Sequence, residues 1–334
     1  MYSPIFCIFA RFYIISLNME YLIVIAALAM IIVGAMLLTD GSVALAKRLR
    51  VPEFIVGLTV VAVGTSMPEL TISMISALGG HGDMAIGNVV GSNIFNIFMI
   101  LGICAVFSPI VFTKTNIRRD IPICIAATCA LLGVTLFGGE ITRLEGVILL
   151  LGYIAMIWFT IRADKRTMLK TQQAGVEQKA DKQESKMPVW RIPVWIILGL
   201  GGLIYGGDLF VDAATKIAQA WGVSEAVIAI TLLAGGTSLP ELSSSLVSIF
   251  KGSPSLALGN VLGSNIANIL LILGACSTVT PLTMGGITMF DIYVAAAATA
   301  LLMLSALIIG RDKLTRIEGV LFIVCYVAYI YTLI

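Results

Sequence analysis

Two glutamates, Glu69 and Glu241, stand inside stretches (54–80 and 226–250) that carry no other charge. An ionisable group at such depth is costly and marks an ion or proton path by default. Each follows a Gly-Thr-Ser-x-Pro run, Gly64-Thr65-Ser66-Met67-Pro68 and Gly236-Thr237-Ser238-Leu239-Pro240. Proline within a helix removes a backbone donor and breaks the ladder to residue i−4, while the glycine permits an unwound turn. The spacing predicts two half-helices per span, with Ser66–Glu69 and Ser238–Glu241 as capping boxes at the second starts. Carbonyls freed around Ala62, Thr65, Ala234 and Thr237 would then face a cavity beside a carboxylate. Oxygen-only ligands suit hard cations such as Ca²⁺, and no His or Cys cluster competes for a softer metal. The rival reading is a kinked helix whose glutamate is merely satisfied by neighbours, a cost that would have to be borne twice.

A second set of polar residues follows each glutamate. Asn88, Ser92 and Asn96 fall at i, i+4 and i+8, one stripe of a helix, and Asn260, Ser264 and Asn268 repeat it. The stripe offers hydroxyl and amide oxygens opposite the carboxylates; polar glue between helices is its competing reading. Gly87/Gly91 and Gly259/Gly263 are small-xxx-small pairs that let backbones approach closely. Asp40 and Asp212 also correspond, but Asp40 lies near a helix end and reads as a cap or interfacial residue. The lone His81, in the loop Gly79–Asp83, has little claim to a role.

These motifs belong to one internal duplication. GNVVGSNIFNIFMILG at 87–102 recurs as GNVLGSNIANILLILG at 259–274, identical at 12 of 16 positions and offset by 172. The glutamate motifs keep the same offset, as do Val51/Val223 and Glu53/Glu225. Relation at one offset across the whole interval makes two copies of one unit.

The elements that hold these residues are set by composition. Hydrophobic residues make up 59% of the 334, charged residues only 12%, and mean hydropathy is +1.02. A soluble chain is about 25% charged, so composition excludes an ordinary cytosolic enzyme, a disordered protein and a nucleic-acid binder. The six cysteines sit in apolar stretches without metal or redox spacing and read as small core hydrophobes. With about 20 apolar residues needed per span, the sequence predicts ten transmembrane helices, near 20–46, 54–79, 84–109, 119–138, 142–162, 192–218, 225–250, 255–279, 288–310 and 314–333. The fold expected is an all-α polytopic membrane protein: a first five-helix repeat at 20–161, a charged linker at 162–191, and a second repeat at 192–334. Five is odd, so the second copy enters the membrane upside down, as in secondary transporters with sites at the midplane between inverted repeats.

Ten spans put 18 of the 21 Lys and Arg on one side, in loops near 47–50, 114–119, 162–191, 251 and 311–316. Cytoplasmic loops carry that excess, which places the linker in the cytoplasm and both termini outside. Residues 1–19 form an N-terminal extension: 1–18 fit no span and lack a basic n-region, and Met19 is the expected start. The linker holds 12 charged residues of 30 and is read as a solvated connection, too short for a regulatory β-sandwich of about 100 residues. Compact size and the short linker suggest the inner membrane of a prokaryote.

GTSxPEL followed by GNxxGSNIxNI, twice, resembles the paired repeats of the cation/calcium antiporter family, specifically its sodium/calcium exchanger branch. The likeness covers 20–334. It implies ten helices and four central ion sites, with Ca²⁺ and Na⁺ as transported ions and no cofactor. It carries Glu69 and Glu241 over as ligands for both ions, and Thr65, Thr237, Ala62 and Ala234 as donors largely through backbone carbonyls. Ser66, Ser238, Ser92, Ser264, Asn96 and Asn268 correspond to the remaining polar positions. Several members carry an aspartate where this chain has Asn268, which leaves potassium dependence and stoichiometry open. Proton-coupled relatives carry a glutamate after GNxx where this chain has Gly91 and Gly263, which favours sodium coupling.

Exchange requires only that one Ca²⁺, or two or more Na⁺, occupy the same carboxylate pair while the empty site reorients poorly. The expected motion is sliding of the first helix of each repeat against the core. A cation channel is one rival; coupling to H⁺ or K⁺ is another. An intramembrane protease is a third, since Gly80-His81-Gly82-Asp83 spells GxGD, but it lies in a loop without a partner aspartate. The partners expected are inorganic cations and the lipid bilayer, with no nucleic acid and no obligate protein partner.

Overall fold

A computed structural model describes residues 4–173, 187–222, 234–284, 288–310 and 312–333. They form helices α1 (Pro4–Leu49), α2 (Glu53–Thr65), α3 (Met67–Leu78), α4 (Gly82–Phe107), α5 (Asn116–Leu136) and α6 (Arg143–Gln173). After the linker come α7 (Arg191–Ala220), α8 (Leu239–Phe250), α9 (Pro254–Val279), α10 (Met289–Ile309) and α11 (Arg316–Leu333). Among the described residues, eight helices are long and apolar enough to cross a membrane, and α2 with α3 makes a ninth candidate bent by 45°. The chain is an integral membrane protein. The first half of the expected span 225–250 lies mostly at 223–233, outside the described residues, and so does 174–186 of the linker.

Most expected boundaries fall within three residues of the observed ones. Two do not. α6 runs on to Gln173, eleven residues past the expected end, because 162–173 contains neither Gly nor Pro to stop it. α1 begins at Pro4, sixteen residues before the expected start of the first span. Asp40 accordingly lies within a helix and is not a cap.

Two helices form the centre. The membrane-length windows of α9 and α4 are 94% and 78% buried, whereas the other long helices have 17–39% of theirs covered and give the remainder to lipid. Apolar side chains such as Ile86, Ile97, Leu258 and Ile272 fill the space between α4, α9 and the helices around them. Leu38, Leu203 and Ile196 hold α1 to α7 in a second cluster. Among membrane-embedded helices the closest approaches need residues without a side chain. A Cβ on Gly199 would stand 2.5 Å from the Leu38 backbone nitrogen, and one on Gly263 2.4 Å from the Leu58 carbonyl oxygen. The second contact presses α9 onto α2, as the small-residue pattern predicts.

The halves hold each other through matched contacts. Strand β1 (Ile110–Val111) pairs antiparallel with β4 (Lys313–Leu314), and β2 (Glu140–Ile141) with β3 (Leu282–Thr283). Gly102 meets Gly319 and Gly146 meets Gly274. The contacts are crossed: Gly102 and Ile110 correspond to Gly274 and Leu282 at the offset of 172, while Gly146 and Ile141 correspond to Gly319 and Leu314 at 173.

Candidate ion-binding site

The two bends are built alike. Ser66 (φ −83°, ψ 12°) and Ser238 (φ −90°, ψ 8°) leave helical geometry, and the following helices place Pro68 and Pro240 in their first turns. Proline is tolerated there because the first N–H groups of a helix lack intrahelical partners. Its missing N–H withdraws the normal partner of the carbonyl four residues earlier, Gly64 or Gly236. The Ala62 carbonyl, expected to be free, accepts the Ser66 N–H at 3.0 Å and, more loosely, the Thr65 hydroxyl at 3.4 Å.

The expected capping boxes do not form. Ser66 and Ser238 make no side-chain cap bond to α3 or α8. Each hydroxyl crosses instead to the other half: Ser66 Oγ donates to Glu241 Oε1 at 2.9 Å, and Ser238 Oγ to Glu69 Oε1 at 3.1 Å. Each serine thus spends its one proton on the opposite carboxylate, which accepts a charge-assisted bond. The Thr-x-x-acid boxes that do close lie elsewhere, at Thr142/Glu145, Thr315/Glu318 and Thr288/Asp291, where helices enter the bilayer.

Glu69 and Glu241 are fully buried and flanked by the Thr237 and Thr65 hydroxyls respectively. Thr65 Oγ1 donates to Asn260 Oδ1 at 3.2 Å, and Ser264 Oγ lies 3.1 Å from Ser66 Oγ.

The Asn/Ser stripe divides by function. Asn88 Nδ2 reaches Ser73 Oγ at 3.0 Å and the Glu69 carbonyl at 3.3 Å. Asn260 Nδ2 reaches Ser244 and Ser245 at 2.9 and 3.0 Å and the Glu241 carbonyl at 3.4 Å. These two asparagines are interhelical glue that fixes each glutamate-bearing helix. Ser92, Ser264, Asn96 and Asn268 are also buried, and Asn96 and Asn268 lie where α4 and α9 widen into π-helical turns at Phe95–Leu101 and Asn268–Leu273. Such turns occur frequently at functional sites.

Asn93 and Asn265 were not anticipated. Asn96 Nδ2 donates to Asn265 Oδ1 and Asn268 Nδ2 to Asn93 Oδ1, both at 3.0 Å. Those bonds turn the Asn96 and Asn268 carbonyl oxygens away from the paired amide. The signal was present, since both asparagines recur in the repeated GSN, but they sit one residue off the stripe and so on another helix face.

Among the described residues, six of the ten buried side-chain polar atoms without a hydrogen-bond partner belong to this constellation: Glu69 Oε2, Glu241 Oε2, Ser92 Oγ, Asn96 Oδ1, Asn268 Oδ1 and Thr237 Oγ1. All are oxygens able to accept. Leaving a buried polar group unpaired costs free energy, and an unpaired charge costs far more, so the set fits a hard cation that satisfies several at once. Among the described residues no group of three His, Cys, Asp or Glu could hold a metal, so a thiolate or imidazole site does not compete.

The family model described as "Sodium/calcium exchanger protein" matches residues 19–162 and 191–334. CaxA of Alkalimonas amylolytica is 36% identical over 318 residues, spanning 93% of this chain and 97% of CaxA. The sodium/calcium exchanger MaX1 of Methanosarcina acetivorans is 30% identical, spanning 95% of this chain and 99% of its own. A solved structure of the sodium-calcium exchanger NCX_Mj, soaked with zero Na⁺ and Ca²⁺, superposes with a TM-score of 0.81 at 30% identity, covering 95% of this chain and all of that one.

Proposed function

The chain belongs to the sodium/calcium exchanger family of membrane transporters, and from that premise we propose that it exchanges Na⁺ for Ca²⁺ across the membrane by alternating access, with Glu69 and Glu241 as shared ligands. The observation that carries this reading is the crossed pair: each carboxylate has one oxygen anchored by the other half's serine and one oxygen without a partner. Two ionised glutamates present a charge of about −2, which one Ca²⁺ or two Na⁺ neutralise. Mutually exclusive occupancy of one pair is sufficient to couple the two ions. Ser66, Ser238, Ser92, Ser264, Asn96, Asn268 and Thr237 add neutral oxygens, and the carbonyls of Ala62, Thr65, Ala234 and Thr237 complete the set.

The architecture that goes with this function is ten spans in two inverted five-helix repeats related about an axis in the membrane plane. The constant sequence offset and the reciprocal contacts of the halves support it. In this reading the Lys/Arg-rich face is cytoplasmic, both termini are outside, and the membrane is a prokaryotic inner membrane. α1 and α7 pack as one body and slide against the core that carries the motifs.

Sodium-driven ⁴⁵Ca²⁺ uptake into reconstituted vesicles tests the proposal. Uptake should require an opposing Na⁺ gradient and fail with Li⁺, K⁺ or H⁺ gradients. Uptake driven by K⁺ or H⁺ would move the coupling to that ion. Flux without any counter-gradient would make the protein a channel.

A further inference from the structure

We propose that Lys251 and Asp40 latch an inner ion path running from Glu241 along Ser244, Ser248 and Thr39, and that this latch, built into one half only, biases the face to which the site opens. The proposal rests on the exchange reading above and adds to it a path and a latch.

The path is a file of buried hydroxyls. Ser244 Oγ donates to the Glu241 carbonyl at 3.2 Å, Ser248 Oγ donates to the Ser244 carbonyl at 2.7 Å, and Thr39 Oγ1 lies 3.3 Å from Ser248 Oγ. Ser42, one turn beyond Thr39 on α1, is also buried, with its hydroxyl unpartnered. Hydroxyls in the core of a membrane protein are retained where they bond across helices or line a polar route. At the end of the file Lys251 Nζ donates to the Met36 carbonyl at 3.1 Å and pairs with Asp40, binding the end of α8 to α1. The pair is the last contact before solvent: both side chains are partly exposed while Thr39 and Ser248 behind them are closed off.

The other half keeps only some of these parts. Residues 172 positions away put Ile72 and Val211 where Ser244 and Thr39 stand, and Gly79 where Lys251 stands, although Ser76 matches Ser248 and Asp212 matches Asp40. Packing is correspondingly unequal. α1 lies against α8, whereas α7 makes no comparable contact with α3 among the described residues. α8 buries Ser244, Ser245, Ser248 and Ile249 beyond its glutamate; α3 buries only Ser73 and Ala77 beyond its own. One end is shut and latched. Packed interfaces have discrete arrangements rather than a continuum, so a charge pair that joins α8 to α1, with no counterpart joining α3 to α7 among the described residues, shifts the balance between them, by up to about fivefold for a pair this exposed. The Lys216–Glu20 pair at the opposite end ties α7 to α1 and not to a glutamate-bearing helix.

Accessibility of the path tests this directly. A cysteine at Ser42, in a chain whose six native cysteines are replaced by alanine, is labelled with a membrane-impermeant maleimide from the Lys/Arg-rich face. K251M and D40N should each raise the labelling rate about fivefold, and the swapped pair D40K/K251D should return it towards the parent. An unchanged rate, or a rise that the swap fails to reverse, overturns the latch. On the native-cysteine chain, K251M should strengthen apparent Ca²⁺ affinity from the Lys/Arg-rich face and weaken it from the other; equal change on both faces overturns it as well. Labelling that behaves as expected in a chain without sodium-driven calcium flux would sink the exchange reading and leave the latch standing.

Discussion

Asn93 and Asn265 hold each other across the halves of the molecule: each side-chain amide donates to the other's backbone carbonyl at 3.2 Å. The same two residues supply the Oδ1 atoms that orient Asn268 and Asn96. Four amides therefore form one closed network, and it is the seam between α4 and α9.

Removing one member should be felt at its symmetry mate. N93A leaves the Asn268 amide and one Asn265 bond unpartnered, and N265A does the same to Asn96. Interhelical hydrogen bonds in membranes contribute roughly 0.6 kcal/mol on average and about 1.7 at most, so each variant should lose about 1–2 kcal/mol. Calcium affinity should weaken about tenfold as the carbonyl oxygens lose their orientation. A double-mutant cycle in detergent should show coupling of at least about 0.5 kcal/mol; additive losses would break the network account.

The carboxylates make a sharper prediction. E69Q or E241Q keeps the shape and the accepting oxygen but removes a negative charge, so sodium-driven calcium uptake should fall to background in either variant. Wild-type-like uptake in one of them would refute the shared-ligand assignment.

Ion binding should also appear as stability. A cation that binds the folded chain and not the unfolded one stabilises by about 2.7 kcal/mol at a hundred times Kd. The thermal midpoint should therefore climb with added Ca²⁺ or Na⁺ and stay flat in the E69Q/E241Q double variant. A rise of equal size in that variant would place the ion elsewhere.

Protons should compete with the ions. Protonating either glutamate removes the charge that holds the cation, so uptake should decline as pH falls, and raising Ca²⁺ should restore it. An acid loss that calcium cannot overcome would trace to unfolding rather than competition.

The moving pair has its own test. A Cβ at Gly199 would stand 2.5 Å from the Leu38 nitrogen and 2.8 Å from the Gly34 carbonyl oxygen, both backbone atoms that cannot swing aside. G199A should push α1 from α7, lower the thermal midpoint and slow exchange at least tenfold. G201A, two residues along on the exposed side of the same helix with nothing described within 4 Å, should leave both within error. Equal effects would mean that the α1–α7 crossing is not what unites the two helices.

Much of this molecule was legible in one dimension. Spans, the bend at Ser66 and the closeness of α9 to α2 follow from runs of apolar residues, a proline and spaced glycines, because bilayer thickness and backbone hydrogen bonding leave few alternatives. The duplicated Glu69 and Glu241 declared themselves by their cost. Partners were not legible. Ser66 has capping-box spacing with Glu69 in sequence but bonds Glu241, 175 residues away, and Asn93 looked idle until Asn268 was found against it. Local spacing fixes which bonds are possible along one helix. Which of them form depends on what the other half offers at the same point, and here it offers a buried carboxylate that accepts the serine's one proton. Lys251 shows the same limit: the duplication gives it no counterpart, and only the packing of α8 on α1 brings it to Asp40.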